Sequence, residues 1–342
     1  MIKHIRSRAP LRIGFAGGGT DVSPFCDKYG GRILNGSITL FAYATLVPMS
    51  DGAIKIQSRD RFVEKCYKSD IYIKPDGLNN LVIGVYNRIV KDYMKHPLSF
   101  EITTWVDAPP GSGLGSSSTL VVAILGAFVE WLKLPLGEYD IAHLAYDIER
   151  NDLMLKGGKQ DQFAATFGGI NYMEFYDNDK VIVNPLRISS TILNELSINF
   201  LLYYTGTSRD SAQIIESQIK SAHNQKGKSF EALKQIKDQT SEMKNALLRG
   251  DLDAIGGILD LGWQLKKKTS SKITNSSIDH AYSIAKNAGA TGGKISGAGG
   301  GGFMIFYCPN NTRYDVIEKL ADFGGEFRRF QFEKKGVTTW TF

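Results

Sequence analysis

Two carboxylates twelve positions apart, Glu149 and Asp161, flank the loop Lys156-Gly157-Gly158-Lys159-Gln160. A carboxylate ending a helix, a glycine-containing loop and a second carboxylate can supply a metal ligand and a general base respectively. Upstream, Ala108-Pro109-Pro110-Gly111-Ser112-Gly113-Leu114-Gly115-Ser116-Ser117-Ser118-Thr119 joins a glycine-rich turn to hydroxyls at an expected helix start. That is the composition of a phosphate cradle. Without Cβ atoms at Gly111, Gly113 and Gly115, several backbone N–H groups can converge on one anion. The unpaired amides and positive dipole end of the next helix attract the same anion. Ser116 to Thr119 add hydroxyl donors or metal ligands, with ordinary helix capping as the plainer alternative.

Nearer the start, Arg8-Ala9-Pro10-Leu11-Arg12-Ile13-Gly14-Phe15-Ala16 leads into Gly17-Gly18-Gly19-Thr20-Asp21. Three glycines after a strand let the backbone approach a ligand and bring Asp21 close to it. A third cluster, Lys294-Ile295-Ser296-Gly297-Ala298-Gly299-Gly300-Gly301-Gly302-Phe303, ends in four successive glycines. These are entropically costly to order, so close packing against a ligand or against the first cradle is expected. A turn capped by aspartate and solvated surface acids are the plain alternatives for Asp21, Glu149 and Asp161.

Two familiar phosphate motifs are excluded. A Walker loop needs a lysine after its last glycine, where Ser116 stands, and the Rossmann triplet needs a glycine there. A literal G-x-G-x-x-G occurs at Gly297, Gly299 and Gly302. Phe303-Met304-Ile305-Phe306-Tyr307 follows it, a strand pattern where a dinucleotide site needs a helix.

Positioning these loops falls to alternating elements. A strand is predicted over 99–106 and a buried helix over 120–132, so the first cradle sits between strand and helix. Further strands are expected near 12–16, 42–48 and 53–57, and helices near 81–94 and 137–151. A hairpin is expected from 168–175 and 180–184. From Ser197 the pattern changes to a strand at 198–204 and amphipathic helices over 208–223, 229–248 and 252–268. A helix ending near Gly289 precedes the last glycine cluster. The change puts a boundary within 186–197, giving one domain over 1–190 and a second over 191–342.

A chain of 342 residues is long enough for two such domains, and 42% hydrophobic with 22% charged residues is a globular composition. No apolar run approaches a membrane span and the first residues lack a signal-peptide core, so a cytoplasmic location is expected. Cys26, Cys66 and Cys308 are odd in number and widely separated, which suggests packing residues rather than disulfides or zinc ligands. The net charge of +6 is spread over scattered lysines and arginines. The run Lys266-Lys267-Lys268 is expected to be a solvated helix end rather than a nucleic-acid patch. An excess of positive charge also suits anionic small substrates. The five histidines fall outside every motif and are read as structural.

Together, Arg8-Ala9-Pro10-Leu11-Arg12 with Gly17-Gly18-Gly19-Thr20-Asp21, Pro109 to Ser118, and Lys294 to Gly302 resemble the three ordered motifs of the GHMP kinases. That family is named for galactokinase, homoserine kinase, mevalonate kinase and phosphomevalonate kinase, and the resemblance spans residues 8 to 307. It implies an α+β kinase with an N-terminal ribosomal-protein-S5 domain-2-like domain, a C-terminal ferredoxin-like domain and a site in the cleft. ATP as co-substrate and Mg2+ as cofactor are implied with it. Nucleotide phosphates would lie along Pro110, Gly111, Ser112, Gly113, Leu114, Gly115, Ser116, Ser117 and Ser118. Gly158-Lys159-Gln160-Asp161-Gln162-Phe163 is similar to the galactokinase segment that holds the catalytic aspartate. The resemblance therefore makes Asp161 the base, Arg12 the cation beside it, Ser117 and Glu149 the magnesium ligands, and Asp21 a group that binds substrate hydroxyls. Gly18-Gly19 stand where galactokinases have Glu-His, which argues against galactose.

Within the family the fuller pattern is similar to the branch that phosphorylates O1 of a heptose already carrying a 7-phosphate, on the route to nucleotide-activated heptose for surface glycans. A phosphorylated acceptor needs a second anion site. Arg32, Lys156, Lys159, Arg209 and the hydroxyls of Thr205-Gly206-Thr207-Ser208 are candidates, since basic forks and hydroxyl donors suit phosphate. With Gly18, Gly19, Thr20, Asp21, Gln160, Gly299 and Gly300 they make up the expected acceptor site. The implied partners are a sugar phosphate and a nucleotide, with no nucleic acid or membrane; a homodimer is left open. The alternatives are another sugar 1-kinase, fucokinase- or galactokinase-like, and a sugar-sensing protein without catalysis. Glu149, Asp161 and the serines argue against a sensor, which needs neither base nor metal.

Overall fold

The computed structural model of the protein describes residues 3–77, 79–207, 214–216 and 227–342. Strand β1 (Ile5–Ala16) starts well before the predicted segment: Ile5, Ser7 and Ala9 alternate inward, and from there to Ala16 nearly every residue is buried. A short helix α1 (Phe25–Tyr29) follows the first glycines. The eighteen-residue β2 (Gly31–Pro48), of which only the second half is legible as a strand, is the spine of the first sheet. It runs antiparallel to β1 throughout. Then come β3 (Ala53–Ser58), β4 (Val63–Lys68), α2 (Asn80–Ile89), continued by a π-helical turn to Met94, and β5 (Phe100–Val106). Helix α3 (Ser116–Leu132) is buried at every position from Ser118 to Phe128 and packs against β1 and β2, which explains why it is apolar all round. Helix α4 (Glu138–Asp147), extended by a π-helical turn over Ile148–Asp152, delivers Glu149. Helix α5 (Gln160–Phe167) delivers Asp161, and β6 (Ile170–Phe175) and β7 (Val181–Pro185) form the expected hairpin.

The second unit opens with α6 (Ser190–Asn199), capped by Ser189 Oγ accepting from Ile192 N, so the strand predicted from 198 starts at Phe200 as β8 (Phe200–Tyr204). It continues through α7 (Lys228–Arg249), α8 (Leu252–Lys267), α9 (Ser276–Asn287), β9 (Gly292–Ile295), β10 (Phe303–Tyr307), α10 (Thr312–Ala321) and β11 (Glu326–Arg328). These strands form an antiparallel sheet in the order β11-β8-β10-β9. Strand, helices, two strands, helix, strand is the ferredoxin-like succession. Of the helix predicted over 208–223, only 214–216 are described, and these are helical. Cys26 and Cys308 are buried as expected, whereas Cys66 is exposed on β4. Among the described residues no helix is long and apolar enough to cross a membrane.

The chain then leaves its second sheet. Thr39 N donates to Gln331 O and Gly169 N to Glu333 O, both at 2.9 Å, and β12 (Thr338–Thr341) pairs antiparallel with β1. The first sheet therefore runs β12-β1-β2-β5-β3-β4, with β6 on the first half of β2 and β7 beyond it. Residues 331–341 thus return to the N-terminal sheet: 331–333 pair with β2 between its β6- and β5-paired stretches, and β12 covers the edge at β1.

Two glycine loops join the units. Phe303 N donates to Ser112 O at 2.8 Å, and Arg12 N to Leu114 O at 3.2 Å, so the first cradle is stitched to β10 and to β1. At Gly113 (φ +82) a Cβ would overlap the Ser296 carbonyl, and at Gly302 (φ +86) it would overlap that of Ser112. Backbone strain and overpacking together predict that Gly302→Ala lowers stability by about 1–3 kcal/mol. Gly257→Ala, on an open face of α8, is expected to raise it by about 0.5–1 kcal/mol. Denaturant titration of both variants checks the pair of signs.

Candidate functional site

Gly115 caps α3 in a left-handed conformation with no side-chain cap hydrogen bond, so the first amides of the helix face the loop rather than a capping oxygen. In front of them lies a cleft of about 260 Å³ whose lining includes Gly113, Ser117, Glu149, Arg150, Lys156 and Asp161. A neighbouring cavity of about 200 Å³ shares Ser117 and Leu155 with it and reaches Asp60. Burial raises the Asp60 carboxyl above its ordinary pKa, and its Oδ1 has no hydrogen-bond partner. Together the two hollows form a trough with an anion-attracting end and a polar far end.

Of the residues predicted along the cradle, Gly111, Gly113, Gly115, Ser116, Ser117 and Ser118 line the cleft. Leu114 and Ser112 are fully buried, Ser112 serving through its backbone, and Pro110 is exposed outside the lining. Ser117 Oγ donates to Glu149 Oε1 at 3.0 Å, and Gln162 Nε2 to Glu149 Oε2 at 2.5 Å. Glu149 is only 1% exposed, with Arg150 Nη1 3.7 Å from Oε1. A hydroxyl and a carboxylate oxygen at the cleft wall fit Mg2+, which binds through one or two protein oxygens and completes its octahedron with phosphate and water.

Asp161 sits in the first turn of α5, where Arg12 from β1 meets it. Arg12 Nε donates to Asp161 Oδ1 at 2.7 Å, and Nη2 lies 2.6 Å from the same oxygen. The third nitrogen, Nη1, donates to Gly113 O at 2.5 Å and is 3.4 Å from Ser296 Oγ. One buried guanidinium thus touches Asp161, the first glycine loop and the last one. Among the described residues Asp161 Oδ2 makes no hydrogen bond.

A second group of charges adjoins the cleft through Gly158 and Gly297. Asp21 is buried, and Gln160 N and Nε2 both donate to its Oδ2, at 3.1 and 3.4 Å. Burial first, then the charge of Asp161, raises its pKa above the ordinary value. Lys266, at the end of α8, is 3% exposed and donates to Gly297 O. Lys294 on β9 is 5% exposed. This corrects the expectation of a solvated Lys266-Lys267-Lys268 end: Lys266 continues the buried stripe of Ile255, Leu259 and Trp263, Lys267 is half-buried, and Lys268 alone is exposed. Desolvation lowers Lys266 to about 8, with Asp21 acting against it, and lowers Lys294 well below its ordinary value, with Lys266 and Arg12 adding to the effect. A Cβ at Gly18 would stand 3.2 Å from Lys266 Nζ and 3.9 Å from Lys294 Nζ. The stripe spacing in α8 was the signal that could have found Lys266; Lys294 had only its place before the glycines.

Several predicted acceptor contacts have other employment. Lys159 is buried, 2.6 Å from Asp179 and 3.5 Å from Asp27; burial pulls its pKa down, but the Asp179 contact and neighbouring charges leave it raised. Thr20 Oγ1 donates to Arg32 O and accepts from Arg32 N, stapling the loop to β2. The Arg32 side chain lies along α7, 3.3 Å from Ser241 Oγ and 3.9 Å from Asp238. Lys156 pairs with Glu216 at 3.2 Å. Thr205 Oγ1 donates to Gly302 O, and the backbones of Gly299 and Gly300 pack on Ile273. Gly18 lies beside Lys266 and Lys294, with Gly19 next to it in the chain, and Gln160 is hydrogen-bonded to Asp21; Ser208 and Arg209 lie outside the described residues.

Profiles of the GHMP kinases N terminal domain and the GHMP kinases C terminal region match residues 80–169 and 243–326. The chain is 47% identical to a D-glycero-alpha-D-manno-heptose 7-phosphate kinase of Campylobacter jejuni over 99% of both chains. It is 26% identical to a bifunctional fucokinase/GDP-fucose pyrophosphorylase of Arabidopsis thaliana, covering 93% of this chain and 31% of that one. The crystal structure of a D-glycero-D-manno-heptose 1-phosphate kinase from Bacteroides thetaiotaomicron superposes with a TM-score of 0.84 at 45% identity, covering 98% of each chain. Lactococcus lactis galactokinase, at 19% identity and a TM-score of 0.78, shares the fold. With both halves of the motif set, the cleft between them and full-length similarity in hand, the chain belongs to the GHMP kinase family.

Proposed function

We propose that this protein is a sugar kinase that transfers the γ-phosphoryl group of ATP to O1 of D-glycero-D-manno-heptose 7-phosphate, giving the 1,7-bisphosphate. The carrying observation is the position of Asp161, in the wall of a cleft headed by a helix N-terminus and held by Arg12, whose charge also acts on two buried lysines. The heptose kinases at 45–47% identity support the acceptor class. Their names put the phosphate at different positions. O1 transfer to the 7-phosphate is favoured because a cationic pocket suits an acceptor that arrives already phosphorylated. Such a reaction would feed nucleotide-activated heptose synthesis in the cytoplasm, where ATP and sugar phosphates are held.

In this reading the triphosphate lies along Gly111 to Ser118 on the backbone amides and the α3 dipole, and the nucleoside extends toward Asp60. Ser117 and Glu149 would hold Mg2+, whose chemistry is to neutralise charge on the β- and γ-phosphates. Arg12 fixes Asp161 through Oδ1 and leaves Oδ2 to take the proton of O1 as that oxygen bonds to the γ-phosphorus and ADP departs. Phosphoryl transfer asks little covalent chemistry of the protein, so positioning and charge supply most of the acceleration.

Coupled measurement of ADP release with heptose, heptose 7-phosphate, heptose 1-phosphate, fucose and galactose tests the assignment. Turnover is expected with heptose 7-phosphate; turnover confined to unphosphorylated sugars would make the protein a different sugar 1-kinase. Asp161→Asn is expected to lower kcat by about 10²–10⁴-fold with little change in the KM for ATP. Near-normal turnover would remove Asp161 as base. Glu149→Gln is expected to raise the Mg2+ concentration needed for half-maximal rate by about tenfold or more; an unchanged Mg2+ titration would remove Glu149 as a ligand.

A further inference from the structure

Lys266 and Lys294 belong to neither the nucleotide cleft nor the Asp161–Arg12 pair, and both are buried from different elements of the second unit. Their ammonium groups converge on the backbone at Gly18. Lys266 has one neutral partner, the Gly297 carbonyl. Lys294 Nζ makes no hydrogen bond or ion pair with any described residue, and the charges acting on it, Lys266 and Arg12, repel it. Burying an unpaired cation is costly unless a counter-charge arrives. Three cations here, Arg12, Lys266 and Lys294, face two carboxylates, Asp21 and Asp161, one of which Arg12 already holds.

We infer that Lys266, Lys294 and the backbone at Gly18 form an anion subsite that holds the phosphate of the acceptor sugar. The inference rests on the sugar-phosphate reading above and names the groups that read the phosphate. Lys266 donates to Gly297 O at the cleft wall, and Arg12, whose charge acts on both lysines, holds Asp161, so the subsite lies next to the carboxylate that faces O1 in that reading. The absence of a side chain at Gly18 leaves the approach to both ammonium groups open. A dianion there balances the cations and holds the sugar by the end remote from O1. Desolvation, with Arg12 adding to it and Lys266 adding to it at Lys294, lowers both ammonium pKa values, and a bound anion would act against each of these causes.

Lys266→Met and Lys294→Met test this, each assayed with heptose 7-phosphate and with unphosphorylated heptose. Loss of one partner in a buried charge pair predicts a rise of about 30-fold or more in the KM for heptose 7-phosphate. The KM for ATP should stay within about twofold, and any rate with unphosphorylated heptose should change far less. Inorganic phosphate should compete with the sugar phosphate in the wild type and lose that competition in the variants. Thermal unfolding should show no loss of stability, since methionine removes a buried unpaired charge. A KM for heptose 7-phosphate within threefold of wild type, or an equal loss with both acceptors, would overturn the subsite. Wild-type failure to use any phosphorylated sugar would instead overturn the acceptor assignment itself.

Discussion

The site depends on one contact: two glycine loops from different units meet backbone on backbone. Ser112 O accepts from Phe303 N, while Gly113 and Gly302 each stand where a side chain would strike the opposite loop's carbonyl. Arg12 enters at that junction and holds Gly113 O, Ser296 and Asp161 together. The anion-attracting end of α3, the carboxylate of α5 and the glycine loop before β10 are consequently set relative to one another by polar backbone groups and one guanidinium. Without the glycines these carbonyls could not come so close. Without Arg12, Asp161 would face the Asp21 charge uncompensated.

The charges fall into two groups about Arg12. In the cleft a hydroxyl and a carboxylate offer hard oxygens to a cation, and helix amides offer donors to an anion. Next to it Asp21, Lys266 and Lys294 are buried together with fewer described partners than they could satisfy. Polar groups left in that condition are expensive, and folded proteins retain them chiefly where a ligand completes them. Lys159 shows the contrast: equally buried, it is paired with Asp27 and Asp179.

Much of this was legible from residue types. Glycine spacing with following hydroxyls located the first glycine loop and α3, and the four glycines after Ala298 pointed to close packing against a ligand or that loop, which Gly302 makes with Ser112. The 3.6-residue pattern found α7 and α8 because each has one apolar face. Legibility failed where tertiary context decides. The first half of β2 is rich in small and polar residues, and its strand character comes from pairing with β1 and β6. Residues 331–341 carry no signal of returning to the first sheet. Lys266 was taken for a solvated residue because it sits in a lysine triplet, although its spacing from Trp263 puts it on the buried face. Thr20, expected at the acceptor through its glycine motif, and Lys159, expected there as a basic candidate, have backbone and carboxylate partners in the structure.

A crystal structure of the protein with a non-hydrolysable ATP analogue and heptose 7-phosphate is the most direct measurement of this account. It predicts the 7-phosphate within hydrogen-bond distance of Lys266 Nζ and Lys294 Nζ, with O1 against Asp161 Oδ2 and in line with the γ-phosphorus. A sugar phosphate bound instead at Arg32 or Lys156, or with O1 turned away from Asp161, would contradict it.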